Sequence, residues 1–397
     1  MESRRVSVFE LFRVFLKLGC ISFGGPVAHL GFFRTEFVQR REWMTDEAYA
    51  DLVALCQFLP GPASSQVGFA IGLRQGGLAG GMAAWLGFTL PSTVLMIGFA
   101  LGLAEVGPAG ETGWIVGLKL AAVAVVVQAL WGMAEKLCPD RARALMALGA
   151  AALLTVLGGA IWQVAVIAGG GAIGWGLFRH KVAANPTDDL NLGVKRWGPG
   201  WAWLVMLGVG LVGLPVWAVS QPDGVVAILD GFYRAGSLVF GGGHVVLPLL
   251  DAFTVGRGWI ESDAFLAGYG VAQALPGPLF AFTSFLGAAI DVGPGGVTGG
   301  VLALVATYVP SWLLLLGVLP YWEKLRRRAG AQAALRGANA VVVGLLLAAF
   351  FNPIWTTAIT SMDRLAFALV AFGALRFGRL SPWALVAACA GSGALVL

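Results

Sequence analysis

Residues 57–74 read QFLPGPASSQVGFAIGLR and residues 273–290 read QALPGPLFAFTSFLGAAI, so the string Gln-x-Leu-Pro-Gly-Pro is written twice inside apolar sequence. Pro and Gly are the poorest helix formers, and here they split each stretch in two. The segment before the first break, residues 46–58, makes about 20 Å of helix at 1.5 Å per residue, too little for a hydrocarbon core of about 30 Å. Pro60 and Pro62, like Pro276 and Pro278, are read as ending one half-helix and opening the next. Gly61 and Gly277 permit the tight turns, and proline is tolerated in a first helical turn, where its missing N–H has no intrahelical partner. Gln57 and Gln273, just ahead of the tips, are expected to pin the turns. The first tip is then the start of a helix beginning near Ala63, with free N–H groups and the positive end of a dipole, an arrangement that attracts anions.

Composition supports the membrane setting. Of 397 residues, 58% are hydrophobic and 12% charged, against roughly 25% charged in an ordinary soluble domain, and several apolar stretches approach the roughly 20 residues that span a bilayer. The sequence reads as an all-α polytopic membrane protein with no room for a soluble catalytic domain and no call for a nucleic-acid partner. Cys20, Cys56, Cys138 and Cys389 are scattered without a CxxC, and there are three histidines. No disulfide framework, metal site or cofactor is expected. The N-terminal MESRRVSVFELF lacks the pattern of a cleaved leader. Residues 208–213 fit GxGxxG but lie in an apolar span with no preceding strand. No Ser/His/Asp or Cys/His spacing supports catalysis, so the chain is not read as an enzyme.

The chain also repeats itself. A shift of 217 lays FLKLGCISFGG (15–25) over FYRAGSLVFGG (232–242). Shifts of 216 and 219 align WMTDEAY (43–49) with WIESDAF (259–265), the two LPGP strings, GLAGG at 77–81 with GVTGG at 296–300, and AAVAVVV (121–127) with GANAVVV (337–343). The expected layout is a first membrane repeat over 1–137, linking helices and a cytoplasmic loop over 138–225, a second repeat over 226–351, and C-terminal helices over 352–397. Treating the FGG and LPGP breaks as reentrant hairpins gathers Arg34, Arg40, Arg41, Arg74, Lys136, Arg141 and Arg143 on one side. The groups at 179–196, 324–336 and 376–379 join them, and only Arg257 and Arg364 fall opposite. That is the cytoplasmic Lys/Arg excess of an inner-membrane protein. Three linking spans, near 143–158, 161–178 and 198–219, would then invert the second repeat, a recurring plan of secondary transporters.

The FGGP (23–26) and FGGG (240–243) turns form a second pair of breaks, contributing Gly24, Gly25, Gly241 and Gly242, with His29 and His244 just beyond. Backbone broken at membrane depth is tolerated where it lines protein or a cavity, and matched breaks suit a site between repeats. Lys17 and Arg234 share one repeat position in apolar runs, where an unpaired charge is costly. Together they could grip a dianion, or each could snorkel or pair with Glu10 or Asp230. Ser64 and Ser65 follow the first tip and could donate to oxygen atoms. The histidines read as local hydrogen-bonding residues or, alternatively, as a proton relay. Arg13 and Lys119 read as structural.

FGGPVAHLGFFRTEFVQRREWMTDEAYADLVALCQFLPGP, with FGGGHVVLPLL and AQALPGPLFAF in the second copy, closely resembles the two-domain form of the chromate ion transporter family, over residues 8–137 and 226–350. The resemblance implies efflux of chromate or a similar tetrahedral oxyanion from a bacterial or archaeal cytoplasm across the inner membrane, conferring chromate resistance. Such proteins usually carry an Asn-Ser-Thr type of sequence after the first PGP, where this chain has Ala63-Ser64-Ser65. A carrier of another anion such as sulfate, and a non-transport membrane protein, are the alternatives. The lipid bilayer is an obligatory partner, and a homodimer is left open.

Overall fold

The computed structural model describes residues 6–106, 112–157, 160–180, 198–239 and 245–396, among which there are helices and turns but no strand. The first half holds α1 (Val8–Ile21), α2 (Gly25–Arg34), α3 (Asp46–Phe58), α4 (Ala63–Val106) and α5 (Gly113–Leu137). Then come α6 (Arg141–Leu157), α7 (Ala160–Phe178) and α8 (Gly200–Ala218). The second half holds α9 (Val225–Ser237), α10 (Val246–Phe253), α11 (Ser262–Ala274), α12 (Phe282–Ala289), α13 (Gly296–Val318), α14 (Trp322–Arg326) and α15 (Ala329–Ala349). The chain closes with α16 (Thr356–Ala358), α17 (Met362–Arg376) and α18 (Pro382–Val396). Among the described residues, six helical stretches are long and apolar enough to cross a membrane, and the fold is an all-α polytopic membrane protein.

Local chemistry sets the helix ends. Ser7 caps α1 by accepting the Glu10 N–H, and Thr45 caps α3 by accepting the Ala48 N–H, each satisfying one of the orphan donors of a helix start. Leu11, Val14, Phe15 and Leu18 recur at helical spacing on α1 and pack it onto α4. α4 is not one straight rod: Gly77, with φ +69°, breaks it into a first segment and a long second one. α5 is buried all round its middle, from Ile115 to Val126, the mark of a helix at the centre of the bundle. α8, by contrast, turns Trp201, Val205, Val209, Val212 and Val216 outward, as a lipid-facing helix does.

The aligned motifs make equivalent contacts. In the first half Gly19 of α1 meets the Phe88 carbonyl of α4; in the second, Gly236 of α9 meets the Thr307 carbonyl of α13. Gly72 lies on Gly80, and Gly287 on Gly299. Such small-residue contacts let backbones approach where lipid supplies no hydrophobic drive.

Candidate functional site

The broken helices meet at the centre. α1 ends at Ile21 and α2 begins at Gly25, across Gly24 with φ +97°. α3 ends at Phe58 and α4 begins at Ala63, across Gly61 with φ +126°. Backbone bonds then cross between halves: the Gly61 N–H donates to the Val239 carbonyl at 2.7 Å, and the Gly277 N–H donates to the Ser22 carbonyl at 2.9 Å. Ser22 and Val239 each immediately precede an FGG string in the sequence, so each LPGP tip is tied to the residue just ahead of such a string in the opposite half. The helix-start reading at Ala63 fits this geometry, but the Gly61 N–H is spent on Val239 and is not among the free donors. In the second half a 3-10 turn, Leu279–Ala281, precedes α12.

These breaks line one cavity of about 1070 Å³. Gly24, Gly25, Gly61, Ala63, Gly277 and Leu279 form its floor, and Gln57 and Gln273 face it. α5 supplies Val125, Gln128 and Gly132 to one wall, and α15 supplies Leu335, Arg336 and Asn339 to another. The lining charges are Glu47, Asp51, Lys136 and Arg336. Asp51 accepts the Trp322 indole N–H at 3.3 Å, while Glu47, Lys136 and Arg336 are exposed toward the mouth.

Several expected site residues lie elsewhere. Lys17 lines a separate pocket of about 510 Å³ with Glu36 and Arg40. Arg234 is taken up by an ion pair with Asp230 one turn back, and its guanidinium lies over the Phe253 ring. The structure therefore does not bring Lys17 and Arg234 to one anion: Asp230, four residues before Arg234, satisfies that charge locally. Ser64 and Ser65 are buried, bonding to His29 and to the Tyr308 hydroxyl respectively. Because the Ser22 carbonyl can only accept, the neutral His29 ring carries its proton on Nε2, 3.2 Å from that oxygen, and Nδ1 accepts from the Ser64 hydroxyl at 3.3 Å. His29 thus fastens the same carbonyl that receives Gly277. The turn-pinning role expected of Gln57 belongs to Gln66, whose amide donates to the Pro60 carbonyl at 2.9 Å; both Gln57 and Gln273 look into the cavity instead. Gly241, Gly242 and His244 lie outside the described residues. Glu36 is half-enclosed: burial alone would raise its carboxyl, but hydrogen bonds and charge from Arg41 and Arg40 hold it below the usual carboxylate range.

Two residues absent from the sequence reading stand out. Gln128 Oε1 and Asn339 Oδ1 are buried with no hydrogen-bond partner among the described residues, as is Gln273 Nε2, and all three side chains line the cavity. A buried unpaired amide is costly, and a half-turn about its last bond offers NH₂ donors in place of the oxygen. The signal was available: Gln128 is a lone amide in AAVAVVVQAL, and Asn339 in GANAVVV.

A family model described as Chromate transporter matches residues 9–175 and 226–394. A chromate transport protein of Pseudomonas aeruginosa is 31% identical over 343 residues, covering 85% of this chain and 79% of the relative. A chromate transport protein of Cupriavidus metallidurans is 27% identical over 362 residues, 86% of this chain and 81% of the relative. An uncharacterized transporter of Methanocaldococcus jannaschii is 25% identical over 351 residues, 88% and 85% of the two chains. No solved structure matches the chain.

Proposed function

The chain belongs to the chromate transporter family, and from that premise we propose that it exports chromate from the cytoplasm across the inner membrane, holding the anion in the central cavity between two inverted repeats. The observation that carries this reading is the convergence of both LPGP tips and the first FGG break on a cavity where three amide side chains have atoms without partners. The floor offers helix-start N–H groups and neutral amides in place of a fixed cation. A doubly charged substrate suits such donors, because carriage requires release as well as capture, and a buried unpaired cation would be costly in the empty site.

Substituting Gln128→Leu or Asn339→Leu tests it. A hydrogen bond to a charged group contributes about 1.5–3 kcal/mol, so each variant should weaken chromate uptake into inverted vesicles by roughly tenfold or more in half-saturation. Lys17→Ala should leave half-saturation near that of the parent. Unchanged uptake in both amide variants would remove the cavity from the binding role. Sulfate, a tetrahedral dianion of the same charge, is the competitor whose effect decides how narrowly the site selects.

A further inference from the structure

The two halves meet the cavity unequally. α11 lies against α5, with Gly270 so near the Leu118 carbonyl that a Cβ there would stand 2.7 Å from it. In the first turn of α11, Asp263 accepts a 2.8 Å hydrogen bond from Lys119 Nζ, and the Lys119 side chain is only 2% exposed. By the sequence alignment of the halves, the matching joint is α3 on α15. There, among the described residues, α3 makes no comparable contact with α15. Ala54, which aligns with Gly270, lines the cavity, and so does Glu47, which aligns with Asp263. Arg336, one residue past the match to Lys119, lines it too. Neither Glu47 nor Arg336 joins a salt bridge among the described residues. One kind of joint is thus shut in one half and open in the other.

We propose that these joints are the two gates of the transport path: Lys119 and Asp263 latch the closed gate, and Glu47 and Arg336 latch the other when the arrangement is exchanged. The inference rests on the cavity being the substrate site, since that cavity lies between the joints. An ion pair whose lysine is buried and whose carboxylate is partly covered has the properties of a latch. The buried Lys119 charge depends on Asp263 while the joint is shut, and opening the joint returns it to water. Matched sequence in the two halves means that closing one joint while opening the other exchanges like contacts for like, which is how rocking of repeats gives access to either side of a fixed site. Bound anion biases the exchange only through different contacts in the two states.

The test uses the full chain without its native cysteines, reconstituted in liposomes. Glu47→Cys with Arg336→Cys is expected to cross-link on oxidation, to stop chromate flux while linked, and to regain flux on reduction. Asp263→Asn, which loosens the closed gate, is expected to slow labelling of Ala54→Cys by an impermeant maleimide by roughly twofold or more as the population shifts. A merely structural pair would lower yield without moving that rate. Protection of Gln57→Cys from the same reagent by chromate reports the substrate site independently. Protection without any 47–336 cross-link, or with a cross-link that leaves flux unchanged, overturns the gates and spares the site. Absence of protection sinks the site reading, and the gates that rest on it, even where the cross-link blocks flux.

Discussion

Arg234 shows how far a single residue's role depends on its neighbours. It shares a repeat position with Lys17, and an embedded arginine is an obvious anion ligand. Yet Asp230 is 1% exposed, and its salt bridge is with Arg234, with the Arg257 charge acting on it from further off. Removing one partner of a buried pair typically costs about 3–5 kcal/mol because the other charge is stranded. Arg234→Ala should therefore lower the thermal unfolding temperature in detergent and the yield of folded protein, while the folded fraction keeps the parent's affinity for chromate. Adding Asp230→Asn should restore much of the stability, since the stranded charge is then gone. A binding isotherm weakened tenfold or more with unchanged unfolding temperature would instead return Arg234 to the substrate site.

At the level of the helix, backbone contacts carry the architecture. Gly19→Val would drive a side chain into the Phe88 carbonyl, where even a Cβ would stand 2.6 Å away, and Gly236→Val would do the same at Thr307. Both variants should fail to elute as a single species in size-exclusion chromatography, whereas Gly98→Ala, with nothing near its Cβ position, should behave as the parent. Such a result would follow from the packing of α1 on α4 and α9 on α13, independent of any substrate. The breaks themselves were legible in the sequence: Pro60, Gly61 and Pro62 constrain the backbone directly, and α4 begins at Ala63 as their chemistry dictates. The kink at Gly77 was not, because a glycine in an apolar run reads equally as packing or as a bend. Nor were the partners of the side chains. Whether Gln57 or Gln66 holds the tip, and whether Arg234 meets an anion or Asp230, depends on which helix faces which, and one-dimensional spacing does not contain that. Gln128 and Asn339 went unread for the same reason, since a lone amide in a span announces its cost but not the cavity that accommodates it.

For the whole molecule, the governing quantities are the placement of charge and the membrane potential. Lys136 and Arg336 line the cavity with Glu47, all three exposed, and on the proposed topology the Lys/Arg excess would turn that face to the cytoplasm. Impermeant thiol reagents should then reach Arg40→Cys and Arg74→Cys from the cytoplasmic side and Asp263→Cys from the opposite side, and same-side labelling of positions 40 and 263 would refute the inverted arrangement. On the proposed export reading, a cavity open to the cytoplasm would load a dianion whose exit the potential favours. Each charge moved through 100 mV is worth about 2.3 kcal/mol, so expelling two gains roughly 4.6 kcal/mol, and at about 1.4 kcal/mol per tenfold this sustains a gradient beyond a thousandfold without a coupled ion. Among the described residues, two candidates for a coupled proton are already engaged: His29 is held between Ser22 and Ser64, and Glu36 is held ionised by Arg41 and Arg40. In inverted vesicles an inside-positive potential alone should therefore drive chromate accumulation at equal pH on both sides, and the rate should persist, if reduced, in His29→Asn. Accumulation that instead follows an imposed pH gradient at zero potential, and vanishes in His29→Asn, would establish proton exchange as the drive and displace the electrical one.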